Sequence, residues 1–288
     1  MIEATLFTDA GCPWAYSASP ALRVLEWRFR DQLSWRLVMI GLREEASEAA
    51  VRTFDPERAL ARWHTFGERY GMPFGTEPKS RPSGTGRGCR AVVAAGLDAP
   101  GSEWAVFRAL QFGYFTSDLL LDDAESIRGA LTGVTGVDGV AARVDDEDVV
   151  AEYERQRAET RSAEGTPAHA QDKTTETDGL VRYTAPSVLF RRGSEVAYAG
   201  GWQPLLGYDT VLANFAPDLE RVPPPGSPEP LLEFFPDGLT TAEVALLLAR
   251  GSDPWPEREA ARVVLEELAA EGAARRVPLG TDAIWVRA

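Results

Sequence analysis

Alternating hydrophobic and polar positions near the N-terminus predict two strands with a helix between them. Residues 2–8 (IEATLFT) alternate and are rich in β-branched and aromatic types, as are residues 33–40 (LSWRLVMI). Between them, apolar side chains recur at helical spacing over residues 13–30. Because a helix joins the two strands, we expect them to be parallel neighbours in one sheet.

A helical pattern dominates the middle of the chain. It begins at Asp55 and Pro56, which suit an N-cap and the first turn of a helix. Further helical repeats occur near residues 88–97, 102–115, 122–132 and 146–163. Polar residues 165–179 predict a loop, after which SVLF and EVAYAG alternate as the strands of a hairpin. A closing helix is expected after Gln203 and Pro204.

The last part of the chain has its own pattern. Residues 217–229 are rich in proline and predict a stiff linker. Residues 230–288 predict three helices and a terminal hairpin, an order that resembles a winged-helix domain. From residue 229 to the end there are six Arg against eleven Asp and Glu, so the net charge of this segment is negative. A helix that binds DNA needs positive charge. We therefore expect protein contact there, with a homodimer through this domain as one hypothesis.

Composition and charge narrow the class of protein. A formal net charge of -14 disfavours nucleic acid as a partner, since phosphate contacts need clustered cations. The first residues lack the basic and apolar segments of a signal peptide, and no apolar run has the length that crosses a bilayer. Only two cysteines occur, too few for a disulfide framework. We expect a cytoplasmic protein without membrane partners.

Cys12 is the main candidate for chemistry. It follows the first predicted strand and opens a helix, with Pro13 and Trp14 next in the chain. Free amides and the helix dipole at such a position favour the thiolate, which is the nucleophilic form. The position three residues on is Ala15, so the resolving thiol of a two-cysteine motif is missing. A single thiolate can still form a mixed disulfide, which an outside thiol then resolves.

Other candidates near Cys12 leave alternatives open. Tyr16 and Ser17 are donors that could serve the site, or they pack in an ordinary first turn. Cys89 is either a distant resolving thiol or a small packing residue. The loop at residues 83–88 (SGTGRG) lacks the strand and lysine of a phosphate loop, so we interpret it as a flexible connector. The two histidines, His64 and His169, have no metal-ligand spacing around them, so no metal site is expected.

Three segments together resemble the DsbA-like branch of the thioredoxin superfamily. Residues 11–15 (GCPWA) are similar to its C-P-W-C active site with the second cysteine replaced. Residues 184–186 (TAP) are similar to its cis-proline loop, and residues 201–204 (GWQP) to the start of its last helix. Related members include 2-hydroxychromene-2-carboxylate isomerases and kappa-class glutathione transferases.

The resemblance implies an α/β thioredoxin fold with an inserted all-helical domain. The thioredoxin-like domain would comprise residues 1–52 and 166–216, and the helical insertion residues 53–165. It also implies that Pro186 is cis and that the backbone of Ala185 faces Cys12 and pairs with the cysteinyl part of a thiol ligand.

The expected function is thiol-disulfide exchange through Cys12. Its partners would be a small thiol, glutathione or mycothiol, acting as cosubstrate without tight binding, and a disulfide or electrophilic substrate. One rival is an isomerase or kappa-like transferase that activates a bound thiol while Cys12 keeps its redox state. The other is a redox-inactive binding protein that retains only the fold.

Overall fold

The computed structural model describes residues 1–251 and 256–288. The strands are β1 (Ile2–Thr8), β2 (Leu33–Met39), β3 (Thr174–Thr177), β4 (Leu180–Tyr183), β5 (Ser187–Arg192), β6 (Glu195–Ala199), β7 (Leu239–Thr240), β8 (Ala274–Leu279) and β9 (Asp282–Arg287). The helices are α1 (Pro13–Ser17), α2 (Ser19–Phe29), α3 (Glu48–Arg52), α4 (Pro56–Tyr70), α5 (Gly86–Asp98), α6 (Glu103–Thr116), α7 (Ala124–Ala130), α8 (Glu147–Thr160), α9 (Pro167–Ala170), α10 (Leu205–Phe215), α11 (Glu229–Phe234), α12 (Thr241–Leu248) and α13 (Arg258–Ala270).

A four-stranded sheet in the order β2-β1-β5-β6 forms the centre of the protein. The first two strands are parallel, as the intervening helix predicts, and β5 and β6 add to β1 in antiparallel fashion. Both faces of β1 are buried: Leu6 belongs to the main core, whereas Phe7 packs with Val38 and Tyr183 on the opposite face. Burial on both sides fixes the end of β1, from which the turn to Cys12 departs.

The single helix expected over residues 13–30 is wrong, because the structure divides it at Ala18 into α1 and α2. Pro20 explains the break. It has no amide hydrogen to donate to the carbonyl of Tyr16 four residues earlier, and its ring would collide with that carbonyl. The first helix is consequently only five residues long.

The polar segment 165–179 is not a plain loop, contrary to the sequence expectation. It contains α9 and strand β3, and β3 pairs with β4 in an antiparallel hairpin. Asp178 and Gly179 form the two-residue turn, both with positive φ, the conformation that Asp-Gly pairs adopt readily in tight hairpins. The hairpin signal was present in the sequence and was outweighed by the polarity of the segment.

The helical middle of the chain packs around α5 and α6, two largely buried helices. Helix α4 begins with the Asp55 cap, whose side chain accepts from the amide of Arg58. Between residues 48 and 160, all of which are described, the structure contains α-helices and no strand. None of the described helices is long and apolar enough to cross a membrane.

The C-terminal residues form a small unit with a three-stranded sheet in the order β7-β9-β8. Its sequence order is α11, β7, α12, α13, β8 and β9. The Pro-rich segment before it lies along α2: the amide of Val222 donates to the carbonyl of Arg28, and the Trp27 indole donates to the carbonyl of Pro223. The segment is therefore held against the first helices by hydrogen bonds.

A buried ion pair joins the C-terminal unit to the rest of the protein. The guanidinium of Arg108 in α6 contacts both carboxylate oxygens of Glu243 in α12, at 2.6 and 2.7 Å. The hydroxyl of Ser19 donates to the same carboxylate, and Arg108 also donates to the carbonyl of Gly238. Burial alone would raise the pKa of Glu243, but Arg108 lowers it to about 2. Three helices are thus connected through one fully buried carboxylate.

Candidate functional site

Cys12 lies at the N-terminus of α1, where the chain leaves β1. Its backbone is extended, its amide donates to the carbonyl of Asp9, and Pro13 occupies the first helical turn. The Ala185–Pro186 peptide bond is cis, and the carbonyl of Ala185 accepts from the Cys12 thiol at 3.3 Å. The structure thus brings together two segments that are 173 residues apart in the chain.

The thiol is buried, and this changes its expected acidity. Only 4% of Cys12 is exposed. Burial, the largest cause, raises the pKa of Cys12 to about 12; the backbone amides of Ala15 and Trp14 lower it by less. The sequence expectation of a favoured thiolate is therefore wrong for this state of the protein. A helix of one turn and two amides do not offset desolvation, and the Ala185 carbonyl accepts only from the protonated thiol.

Asp9 is a buried carboxylate beneath Cys12 that the sequence analysis missed. One oxygen accepts from the amide of Gly11, which shapes the turn before Cys12. The other accepts from the amide of Leu42 and the hydroxyl of Thr85, at 2.7 and 2.9 Å. A polar residue at the end of a buried strand was the available signal. Asp9 fixes the cysteine turn to the end of β2 and to the start of α5.

Residues 83–88 are closely packed, and residues 86–88 already belong to α5, so the flexible connector expected from the glycines is wrong. A Cβ at Gly84 would lie 2.6 Å from the carbonyl oxygen of Glu44. A Cβ at Gly86 would meet the Glu44 carboxylate, and one at Gly88 would lie 2.9 Å from the side chain of Leu121. Glycine is needed here for close approach of backbone to its neighbours. The segment lies beside the Cys12 turn, since a Cβ at Gly11 would lie 2.5 Å from the side chain of Thr85.

Trp14 contributes an aromatic surface next to the cysteine. It is 39% exposed, and its ring lies 5.0 Å from Phe66, 5.5 Å from Tyr70 and 6.3 Å from Trp202 between ring centroids. These partners come from α4 and from the segment before α10. Sequence reasoning identified Trp14 but not its partners, because only the fold brings α4 and residue 202 together.

Tyr16 does not serve the cysteine. Its hydroxyl donates to the carbonyl of Pro73, and its ring stacks on Phe115 with a centroid separation of 4.7 Å. Ordinary packing is therefore the correct alternative for this residue. Ser17 differs: its hydroxyl is buried and has no hydrogen-bond partner among the described residues.

Cys89 is fully buried in α5, and its thiol lies 3.5 Å from the Asp9 carboxylate. Both cysteines are free thiols. Burial raises the pKa of Cys89 well above its ordinary value, with the charge of Asp9 acting in the same direction. These surroundings favour a packing role over that of a resolving thiol.

Neither histidine lies in the site. His64 contacts the carbonyl of Gly75, and His169 contacts the amide of Gly165. Within residues 1–251 and 256–288, no three His, Cys, Asp or Glu side chains are grouped to hold a metal ion. The described site comprises the Cys12 thiol, the Ala185 carbonyl, the Asp9 carboxylate and the surrounding aromatic and amide groups.

Comparison with solved structures identifies the fold. The cytosolic disulfide reductase DsbM from Pseudomonas aeruginosa matches with a TM-score of 0.52 at 15% identity, over 74% of this chain and 98% of that one. The same protein with GSH gives a TM-score of 0.50 at 15% identity, with the same coverage. A probable DsbA oxidoreductase from Streptomyces coelicolor gives 0.53 at 16% identity, over 76% and 91% of the two chains.

No protein-family model and no curated protein sequence matches this chain. The likeness is therefore one of architecture, and at these identities it establishes the fold alone. The chain has a DsbA-like thioredoxin fold, with Cys12 and the Ala185–Pro186 bond facing each other at the end of its first strand.

Proposed function

We propose that this DsbA-like protein is a cytoplasmic thiol-disulfide oxidoreductase that uses Cys12 as a single nucleophile. The observation that carries the proposal is the contact between the Cys12 thiol and the carbonyl of Ala185, next to a cis proline, in a fold shared with disulfide oxidoreductases. Glutathione is a suitable small thiol, because the structurally similar DsbM was solved with it. Mycothiol is a second candidate of the same chemistry.

The reaction proceeds in two exchange steps. Cys12 loses its proton, its sulfur attacks one sulfur of a substrate disulfide, and the other substrate sulfur leaves and takes a proton. A small thiol then attacks the substrate sulfur of the mixed disulfide and regenerates the Cys12 thiol. One disulfide and one thiol are consumed, and one of each is formed. Ala15 offers no sulfur, so the second step depends on the outside thiol.

Burial of Cys12 makes its deprotonation, which the first exchange step requires, unfavourable. Deprotonation of Cys12 gives up the hydrogen bond to Ala185 and places a charge in a site where burial disfavours it. The exchange rate should therefore rise steadily with pH and still be rising above pH 9, where an ordinary thiol levels off. Substrate binding must open a path to the sulfur.

Intact-mass analysis after treatment with oxidised glutathione tests the proposal. One glutathione adduct is expected on the wild-type protein and on Cys89→Ser, and none on Cys12→Ser. The adduct should form faster at pH 9 than at pH 7. A loss of two hydrogens with a Cys12–Cys89 crosslinked peptide would instead identify a dithiol enzyme, and absence of any adduct would favour a redox-inactive binding protein.

The protonated state of Cys12 favours a second candidate, a thiol-dependent isomerase or transferase. A buried thiol that donates a hydrogen bond could donate to the thiolate of a bound cosubstrate, with no change in its own redox state. A serine hydroxyl can make the same donation. Cys12→Ser should then retain isomerase or transferase activity, whereas it should abolish disulfide exchange.

For the C-terminal unit we propose a winged-helix-like domain, residues 230–288, that contacts protein. Its order of helices and strands and its sheet order support this interpretation. Helix α13 exposes Val263 and Val264 together with several glutamates, which suits a protein surface better than phosphate. Sedimentation of the wild type and Val264→Arg tests a homodimer, and salt-sensitive binding to random duplex DNA would overturn the assignment.

A further inference from the structure

A cavity lies between the C-terminal unit and the thioredoxin-like body. It has a volume of about 420 Å³, and its walls come from α1, α2, the end of α4, the start of α10 and α12. This volume is in the range of small-molecule sites and too small for a folded partner. Cys12 does not line it. Trp14 connects the two places, because its ring packs against Tyr70 and Trp202, which wall the cavity.

The walls are mainly apolar. Tyr70 and Trp202 are in aromatic contact with ring centroids 4.9 Å apart, and Leu205 and Leu246 add aliphatic surface. The wall supplied by α12 is held in position by the Arg108–Glu243 pair and by Ser19, described above. The same contacts that hold the C-terminal unit against the rest of the protein therefore also hold this wall of the cavity in place.

The buried polar groups of the cavity walls that have no partner in the described part of the chain can both donate a hydrogen bond. The Ser17 hydroxyl and the Trp202 indole N–H are buried and have no partner among the described residues. An indole N–H can only donate, and leaving it unpaired in an apolar site carries a free-energy penalty. Arg69 and Arg258 also line the cavity and are exposed, which puts two positive charges on its rim; Arg258 also donates to two backbone carbonyls near the end of α4.

We propose that this cavity binds a small carboxylic acid with an aromatic body and a second oxygen. The rim guanidinium groups would receive the carboxylate, the rings of Tyr70 and Trp202 would contact the body, and Ser17 and Trp202 would serve the second oxygen. This site is assigned independently of the redox proposal, because none of its contacts involves Cys12. Binding should be unchanged in Cys12→Ser.

Calorimetric titration of the full-length protein with 3-(4-hydroxyphenyl)propanoate tests the assignment. Measurable binding is expected at up to millimolar ligand. The matching amide, which lacks the charge, and 3-phenylpropanoate, which lacks the hydroxyl, should each bind about three- to tenfold more weakly. Equal binding of the amide would overturn the assigned role of the arginines, and equal binding of 3-phenylpropanoate that of the buried donors.

Two variants with matched controls locate the ligand. Leu246→Trp fills the cavity and should abolish binding, whereas Leu97→Trp, an exposed position elsewhere, should not. Arg69→Gln should weaken binding about three- to tenfold, whereas Arg62→Gln in the same helix should leave it unchanged.

Ser17→Ala should reduce affinity for the hydroxylated acid but not for 3-phenylpropanoate, and this comparison stands even if Leu246→Trp fails to fold. Absence of binding to the wild type, or binding that Leu246→Trp and Arg69→Gln leave intact, would overturn the proposal.

Discussion

Glu243 and Cys12 are both buried ionisable groups, and they differ in charge state because their partners differ. Glu243 has a guanidinium partner that contacts both of its oxygens, so its pKa falls to about 2 although no part of it is exposed. Burial raises the pKa of Cys12 to about 12, and the negative charge of Asp9 acts in the same direction. Its partner is the carbonyl of Ala185, which accepts a hydrogen bond only from the protonated thiol. The nature of the partner decides whether the buried group stays charged.

The Arg108–Glu243 pair has a structural role, whereas Cys12 is the candidate for chemistry. The Arg108–Glu243 pair is already in its favourable charge state, and it holds α6 and α12 together. The raised pKa of Cys12 favours the protonated thiol, so the proposed exchange requires a change of surroundings before the sulfur can attack.

The largest effect is expected at the ion pair. Glu243→Gln should lower the free energy of unfolding by about 3–5 kcal/mol, because it leaves the Arg108 guanidinium buried without its counter-charge. Urea denaturation of wild type and variant measures the loss. Glu233→Gln removes an exposed partner of Arg287 and should cost less than about 1 kcal/mol. Equal losses of stability in the two variants would mean that Glu243 does not hold α6 and α12 together.

Lowering the pH should weaken the Arg108–Glu243 ion pair and destabilise the protein. The pKa of Glu243 is lower in the folded than in the unfolded protein, so its stabilising contribution is complete above about pH 4.5 and is lost as pH falls toward 2. The contribution lost is on the order of 3 kcal/mol. Chemical denaturation at a series of pH values should show this decrease, and Glu243→Gln should flatten it. An unchanged slope in the variant would contradict the assignment.

A smaller effect is expected beside Cys12. Gly84→Ala should destabilise the protein by about 1–3 kcal/mol, because the new methyl group meets the backbone carbonyl of Glu44. Gly226→Ala is the control, since a Cβ there has no atom within 4 Å. The thermal midpoints of the two variants give the comparison. A neutral Gly84→Ala would show that this loop yields more easily than its packing indicates.

The smallest effect is expected at Cys12 itself. Cys12→Ser should change the free energy of unfolding at pH 7 by less than about 1.5 kcal/mol, since a hydroxyl can still donate to the carbonyl of Ala185. Cys12→Asp should be much worse at neutral pH, because a carboxylate would be buried there without a cation. Similar stability of the two variants would mean that the site is more open than its burial suggests.

Much of the central architecture follows from local patterns. The alternation in β1 and β2 predicted both strands, and the intervening helix predicted their parallel pairing, which the structure confirms. The Asp55 and Pro56 signals predicted the start of α4. Errors arose where two local signals competed: Pro20 inside an apolar helical repeat, and the Asp178–Gly179 turn inside a polar segment. In both places the backbone constraint outweighed the composition.

The candidate site was predictable only in part. Cys12, Trp14 and the Ala185–Pro186 loop were identified from motifs, because each lies in a short contiguous segment. Asp9 and Trp202 were missed as site residues, since their roles depend on contacts with segments far along the chain. The interpretation of residues 83–88 failed for the same reason: the sequence shows that glycines permit flexibility, but not that neighbouring atoms occupy the space beside them.

The sequence by itself determined the four strands of the central sheet and most helices, the position of Cys12 at a helix start and the lack of a second cysteine beside it. These features depend on interactions within a few residues, such as side-chain periodicity and proline geometry. Only the tertiary structure decided that Cys12 is buried and protonated, that Glu243 is buried and charged, and that a cavity lies beside Trp202. A pKa and a cavity depend on desolvation and on partners brought together by folding, and local sequence does not specify either.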